Sequence, residues 1–313
     1  MLWSELESMA ALHVPGTGKL HIHRLRHGLV NETYRVERDG GSYALRVPAA
    51  NACELGLDRC WEARVLERAV PAGLAPALAY CDPQRGILIA RWVDGRSWSA
   101  AEVRRQSNIS SMAMLLRRIH ALPMPTPTRV MSPASWILYY RAAMADSAES
   151  SDAAALRSAA GERLAALAVL PSAVAVVCHS DLHTFNLIDC GQSLILLDWE
   201  YAHAADPLWD LAGWSANNDL EEELQHELLA GYTGRPPTRD ECLRLRLLVW
   251  LYDYVCWLWG ELYLDLQGDA GHGAATGVVT GAAPGEAAGA APGEAARNGI
   301  LARCRLLAAR LRI

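Results

Sequence analysis

Residues 173–200, AVAVVCHSDLHTFNLIDCGQSLILLDWE, constrain the fold of this 313-residue chain more than any other stretch. Two apolar runs, 173–177 and 194–197, are too short for core helices and too apolar for solvated loops, so they read as short strands. His179, Asp181, Asn186 and Asp198 stand at the ends of these runs, where turns hold side chains in place. The surrounding sequence is helical in period, over 99–122, 133–146, 152–169, 207–217, 220–231 and 239–266. A polar loop on a few short strands inside a helical half specifies an α+β architecture.

The N-terminal part is patterned differently. HIHRLRHG and ETYRVERDGGSYALRV alternate as strands do, and the second reads as a hairpin closed by Arg38-Asp39-Gly40-Gly41, with Gly-Gly expected to supply the positive φ. A helix is expected over 52–70, ended by Pro71 and Gly73. LAPALAYC and GILIARWV follow as two more strands, and Asp94-Gly95 marks a break. Pro123, Pro125 and Pro127 stop the helix that follows. The organisation expected is a small β-rich lobe over 1–95 and a larger, mainly helical lobe over 96–313, with a hinge near 90–96. GAAPGEAA occurs twice in tandem at 281–296, within a Gly/Ala-rich stretch, 268–297, that is expected to be a flexible insertion. ARNGILARCRLLAARLRI returns to amphipathic spacing and is expected to dock as a terminal helix.

Composition removes several classes of function. Lys and Arg number 29 against 35 Asp and Glu, a net charge of −6, which argues against a general nucleic-acid binder. No apolar stretch is long enough to span a membrane, and the first residues lack the pattern of a signal peptide. The eight cysteines are scattered and form no C-x-x-C pair, so reduced thiols and a cytoplasmic location are expected. The histidines at 13, 21, 23 and 27 have no ligand-spaced companions and read as surface residues. Lys19 is the only lysine. Chemistry that requires a lysine must use it or do without.

An Asp and an Asn five residues apart on one loop, with a second Asp at a strand end, can converge on one ATP–magnesium site. Asp181 would accept the proton of an attacking hydroxyl, while Asn186 and Asp198 would hold Mg2+ on the phosphates. Phosphoryl transfer demands this division of labour, because its catalysis is mostly positioning and charge neutralisation. For either aspartate alone, a turn-capping role is the simpler reading.

His179-Ser-Asp-Leu-His-Thr-Phe-Asn186, Leu197-Asp-Trp-Glu-Tyr-Ala202 and Asp206-Pro-Leu-Trp-Asp-Leu-Ala212 resemble the choline/ethanolamine kinase, thiamine kinase and aminoglycoside phosphotransferase superfamily. The resemblance runs from about residue 21 to 266 and implies a two-lobed protein-kinase-like fold. It implies that Asp181 is the catalytic base, Asn186 and Asp198 the magnesium ligands, His179 a support of the loop and Asp210 its anchor. Gly28 and Asn31 would lie in the nucleotide-covering turn. Arg46 stands where protein kinases have lysine, with Glu62 as its acidic partner, since a guanidinium can clamp phosphate oxygens bidentately. Residues 89–95, including Trp92, would form the hinge against adenine. With neither a D-F-G nor an A-P-E segment, the chain does not read as a protein kinase.

For the acceptor, Tyr254 and Trp257 fall on one helix face, with Trp214 and the carboxylate of Glu200 as further candidates; an indole and a carboxylate would suit a small cationic alcohol. A core role for these aromatics competes with that reading. Choline or ethanolamine is the first expectation for the small-molecule acceptor and thiamine the next. An aminoglycoside or amino sugar, served by the Glu221–Glu223 run, comes third. A catalytically silent nucleotide-binding module is the competing class. Oligomeric state is not legible in the sequence.

Overall fold

The computed structural model describes residues 3–25, 30–48, 54–144, 151–273 and 292–312. It opens with a helix absent from the sequence expectations, α1 (Trp3–His13). The five strands β1 (His21–Arg24), β2 (Asn31–Arg38), β3 (Gly41–Pro48), β4 (Leu78–Asp82) and β5 (Ile87–Arg91) form one antiparallel sheet in the order β1-β2-β3-β5-β4. The β2–β3 hairpin pairs Arg38 with Gly41. Its two turn residues are therefore Asp39 (φ 48°) and Gly40 (φ 76°), not the Gly-Gly pair. Asp39 tolerates the left-handed conformation because its carboxylate accepts from Thr17 N (2.7 Å) and Gly18 N (3.0 Å).

Strand alternation sorts the side chains of β3 between the two faces of the sheet. Tyr43, Leu45 and Val47 of β3 join Tyr34, Val36, Ile87 and Ile89 on the face that α1 covers with Leu6, Met9 and Ala10. Arg46, one register out of phase, points to the opposite face, toward α2 (Arg59–Ala69). That helix starts seven residues later than its apolar spacing suggests. Gly56 takes a positive φ of 86°, and Asp58 caps the helix by accepting from Trp61 N at 2.9 Å.

The helices of the second half are α3 (Ala100–Val103), α4 (Gln106–His120), α5 (Pro133–Ala143), α6 (Ser151–Ala168), α7 (Leu208–Asn217), α8 (Glu222–Thr233), α9 (Arg239–Gly273) and α10 (Pro292–Leu311). The single helix expected over 99–122 is two, because Ser99 and Glu102 close a capping box around one short turn before α4 begins. Short strands β6 (Val176–Cys178) and β9 (His203–Ala205) pair with each other, and β7 (Leu187–Asp189) pairs with β8 (Leu194–Leu196). The loop 179–186 therefore leaves β6 and enters β7, while Asp198 follows β8. Leu197 N donates to Asn186 O (2.8 Å) and zips the two segments together.

Both ends of the expected 268–297 insertion are helical: α9 runs to Gly273 and α10 starts at Pro292, a favourable first-turn position for proline. Most of the tandem repeat lies outside the described residues. Ile300, Cys304, Leu307 and Leu311 are the buried stripe of α10. A Cβ on Gly260 of α9 would stand 2.5 Å from Cys304 Sγ, so the two helices approach as closely as a glycine permits. No helix among the described residues is long and apolar enough to cross a membrane, and seven cysteines are free, with Cys53 outside the described residues.

Candidate active site

The loop that carries Asp181 is fixed from behind. Asp210, fully buried on α7, accepts from His179 N (2.9 Å) and Ser180 N (2.7 Å) through its two oxygens. Burial pushes its carboxyl up, but the His120 hydrogen bond and charge, His179 and the loop amide outweigh this and hold it below the usual carboxylate range. His120 Nε2 meets Asp210 at 3.1 Å, and Tyr232 OH meets His120 Nδ1 at 2.9 Å. Cys178 completes this cluster, but its members are already engaged with one another and with the loop, so it serves as a structural knot.

His179 ties the loop forward as well. Its Nε2 donates to Leu197 O (2.9 Å) and its Nδ1 accepts from Asp181 N (3.3 Å). One neutral tautomer satisfies both bonds, and burial lowers the pKa in the same direction. Ser180 (φ 68°) and Asp198 (φ 57°) hold left-handed backbone on either side of this tie. Such conformations persist only where surrounding bonds over-determine them.

Asp181 is 30% exposed at its side chain. Asn186 Nδ2 donates to its Oδ2 (3.0 Å) and to its backbone O (2.9 Å), while Asn186 Oδ1 accepts no hydrogen bond among the described residues. His183 Nε2 stands 3.6 Å away. Burial raises the Asp181 pKa, but His183 leads a set of neighbours, with His179 and Asn186, that brings it below the ordinary value. Asp181 is thus an ionised carboxylate with an open oxygen.

Across from it, Arg46 donates from both terminal nitrogens to Glu62 (2.7 and 2.7 Å) and from one of them to Asp198 (3.0 Å). Arg59, which the sequence did not single out, donates to Glu200 (2.7 Å), Glu62 (3.1 Å) and Asn31 Oδ1 (2.7 Å). Asn31 Nδ2 donates to Glu200 at 2.7 Å. Two guanidiniums therefore face Glu62, Asp198 and Glu200, with Asp181 nearby as a fourth carboxylate. Burial and the adjacent Asp198 push Glu200 up to about 7, and burial raises Asp198 against the pull of Arg46. Replacing Arg46 by Lys keeps the charge and loses the fork. Such a change is expected to cost about 1.5–3 kcal/mol of folding stability, read by urea unfolding, since at least one charged hydrogen bond is forfeited. An unchanged midpoint would contradict the bidentate geometry.

The other expected residues fall as follows. Glu200, assigned to the acceptor, is 4% exposed and bonded to Asn31 and Arg59, so it belongs to the arginine network. Trp214 and Tyr254 are each 1% exposed and offer no open face. Trp214 packs edge-on against Trp98, and Tyr254 is stacked between Trp250 and Trp257. Trp257 is half-buried. Trp92 follows β5, donates its backbone N–H to Ser42 O (2.9 Å) and lies under the Arg35 guanidinium at 4.7 Å. Gly28 lies outside the described residues. Glu222 is 74% exposed beside Arg246, a solvated position. His13 stacks on Tyr80, His21 and His23 are exposed, and His27 lies outside the described residues.

Magnesium is the metal that the resemblance implies, and the donor set suits it. Asn186 Oδ1 and the Asp198 carboxylate are hard oxygen ligands amid uncompensated negative charge, while Arg46 Nε is a buried donor with no acceptor among the described residues, fit for a phosphate oxygen.

A two-lobed protein-kinase-like fold built round one fixed aspartate defines a class of phosphotransferases. Residues 21–243 match the phosphotransferase enzyme family, and the chain belongs to it. Protein LicA of Haemophilus influenzae is 26% identical over 215 residues, which take in 66% of this chain and 61% of that protein. Three kinases are among the solved structures that share the fold. A choline/ethanolamine kinase family protein from Mesorhizobium loti superimposes with TM-score 0.69 at 24% identity, covering 98% of this chain and 95% of that one. The choline kinase LicA from Streptococcus pneumoniae gives 0.72 at 20%, covering 96% and 98%. A Plasmodium vivax ethanolamine kinase gives 0.72 at 16%, covering 96% and 86%.

Proposed function

We propose that the chain transfers the γ-phosphoryl group of Mg-ATP to the hydroxyl of a small amino alcohol of the choline or ethanolamine kind. The observation that carries the acceptor class is an aromatic wall within electrostatic reach of Asp181, whose open part is Tyr201, since Tyr140 and Tyr252 are buried at 2% and 3%. Tyr140, Tyr201 and Tyr252 come from three different segments. Burial, and then charges that include Asp181, push all three phenols well above their usual pKa. Tyr201 is half-buried and accepts from Trp259 Nε1 at 2.7 Å, which fixes its ring. Neutral aromatic faces next to a carboxylate attract an ammonium group. The likeness to choline and ethanolamine kinases supports the same reading.

In this reading residues 1–95 hold the nucleotide and 96–313 the acceptor, in a cytoplasmic protein with reduced thiols. Asn186 and Asp198 would hold magnesium, which when bound neutralises charge on the phosphates. Arg46, clamped by Glu62, presents Nε to a phosphate oxygen. Asp181 orients the acceptor hydroxyl and takes its proton, the Asn186 amide keeping the carboxylate in place. His183 and the Asn186 amide keep Asp181 ionised and ready for that proton.

Tyr201→Ala is expected to raise KM for a cationic acceptor about 2- to 30-fold, the value of one cation–π face, and to leave KM for ATP unchanged. Tyr201→Phe keeps the ring and should stay near wild type. Equal changes in both KM values for Tyr201→Ala would contradict the acceptor-side placement of this wall.

A further inference from the structure

The helix α10 lies beyond the residues matched to the family, yet it reaches the catalytic loop. Arg303 on its exposed face donates to Asn217 Oδ1 at 2.7 Å. The Nδ2 of that same Asn217 donates to Leu182 O (2.9 Å), the residue after Asp181, and to Tyr252 OH (3.1 Å). One amide therefore links the guanidinium to the loop that holds the catalytic base. The charge of Arg303 is felt by Cys256, Tyr252 and Asp181.

Two features bear on the role of this arginine. It has no carboxylate within ion-pair distance among the described residues, whereas its neighbour Arg310 holds both Asp219 (2.8 Å) and Asp253 (2.9 Å). Its position is also fixed. Arg310 bolts α10 to α9, Trp250 donates to Leu311 O (3.3 Å), and the Gly260–Cys304 approach sets the helix spacing. A guanidinium oriented by a neutral amide keeps its other N–H donors and its full charge for an anion.

From this geometry we infer that Arg303 binds an anionic group on the acceptor, so that the preferred substrate is a zwitterion. Such a molecule carries a hydroxyl for Asp181, an ammonium for the aromatic wall and a carboxylate for Arg303. This inference rests on the amino-alcohol reading above and narrows it. A plain cationic alcohol would leave Arg303 unpaired beside the bound ammonium, a like-charge contact that disfavours it.

The test compares kcat/KM by coupled ADP release on the full chain, with saturating Mg-ATP. One acceptor set is choline and ethanolamine; the other is carboxylate-bearing ammonium alcohols, with carnitine, homoserine and serine as probes. The wild type is expected to favour a carboxylate-bearing acceptor. Arg303→Ala should lower that preference ratio about 10- to 100-fold, as loss of a charged hydrogen bond implies, and Arg303→Glu should reverse it. An unaltered ratio in both variants would overturn the inference and leave the amino-alcohol kinase standing. A kcat loss equal for both sets would also overturn it, by assigning the guanidinium to the phosphoryl group. No turnover of either set by the wild type would remove the proposed function itself, and the inference with it.

Discussion

Asp181→Asn is expected to fold as the wild type does and to lose about 10²- to 10⁴-fold in kcat, the usual contribution of a positioned general base. The substitution is nearly isosteric, and the amide oxygen still accepts from Asn186 Nδ2, now 3.0 Å from the carboxylate. What disappears is the basic oxygen and the charge that His183 and Asn186 stabilise. KM for ATP should change little, because Arg46, Glu62 and Asp198 are untouched. Steady-state kinetics beside a thermal melt separate the two effects. A variant with near-normal kcat would remove Asp181 from the chemistry, whatever the fold resembles.

The largest stability effect is expected at Asp210. Replacement by Ala leaves His179 N and Ser180 N as buried donors without acceptors and strips His120 of its carboxylate. Breaking a buried charged network by removing one partner costs about 3–5 kcal/mol. The left-handed Ser180 loses the bond that holds it, so activity should fall along with stability. Urea unfolding reads the first effect directly. Asp210→Asn, which keeps one acceptor oxygen, should lose less. A cost below about 1 kcal/mol for the alanine variant, in the range of a surface change, would contradict the anchoring role.

The parts of the site that share a short stretch of sequence were legible. His179, Asp181, Asn186 and Asp198 could be read together because two apolar runs flank a loop and fix its ends. Arg46 and Glu62 were assigned through the resemblance, which puts an arginine where protein kinases have lysine and its acidic partner on the helix that follows. Arg59 was not legible. Its role depends on where α2 begins, and Asp58 capping and the positive φ of Gly56 delay that start beyond what apolar spacing indicates. With the later start Arg59 becomes the first helical residue, level with Glu62 and facing Glu200.

Glu200 was expected to face the acceptor, yet a short turn after Asp198 can direct its second residue either way. The buried Arg59 and Asn31 decide it. Trp214 and Tyr254 illustrate a different limit. Helical spacing puts aromatics on a common face but does not distinguish a cleft from a core. Here Trp98 against Trp214 and the packing of α7 on α9 make that face core. Helix α1 was missed because its apolar stripe is only Leu6, Met9 and Ala10, and its partner is a sheet face assembled from β2, β3 and β5. His120 and Arg303 act from positions about 60 and 120 residues away from Asp181 in the chain, a separation no local pattern records.

The most direct test of the account is product formation. Purified protein, Mg-ATP and a panel of choline, ethanolamine, their carboxylate-bearing counterparts, thiamine, amino sugars and aminoglycosides would be followed by ADP release, with phosphorus NMR on the acceptor. Magnesium-dependent phosphomonoester formation on an amino alcohol, absent with Asp181→Asn, is the predicted result. Nucleotide binding without a phosphorylated acceptor anywhere in the panel would contradict the account and favour a silent, nucleotide-binding protein.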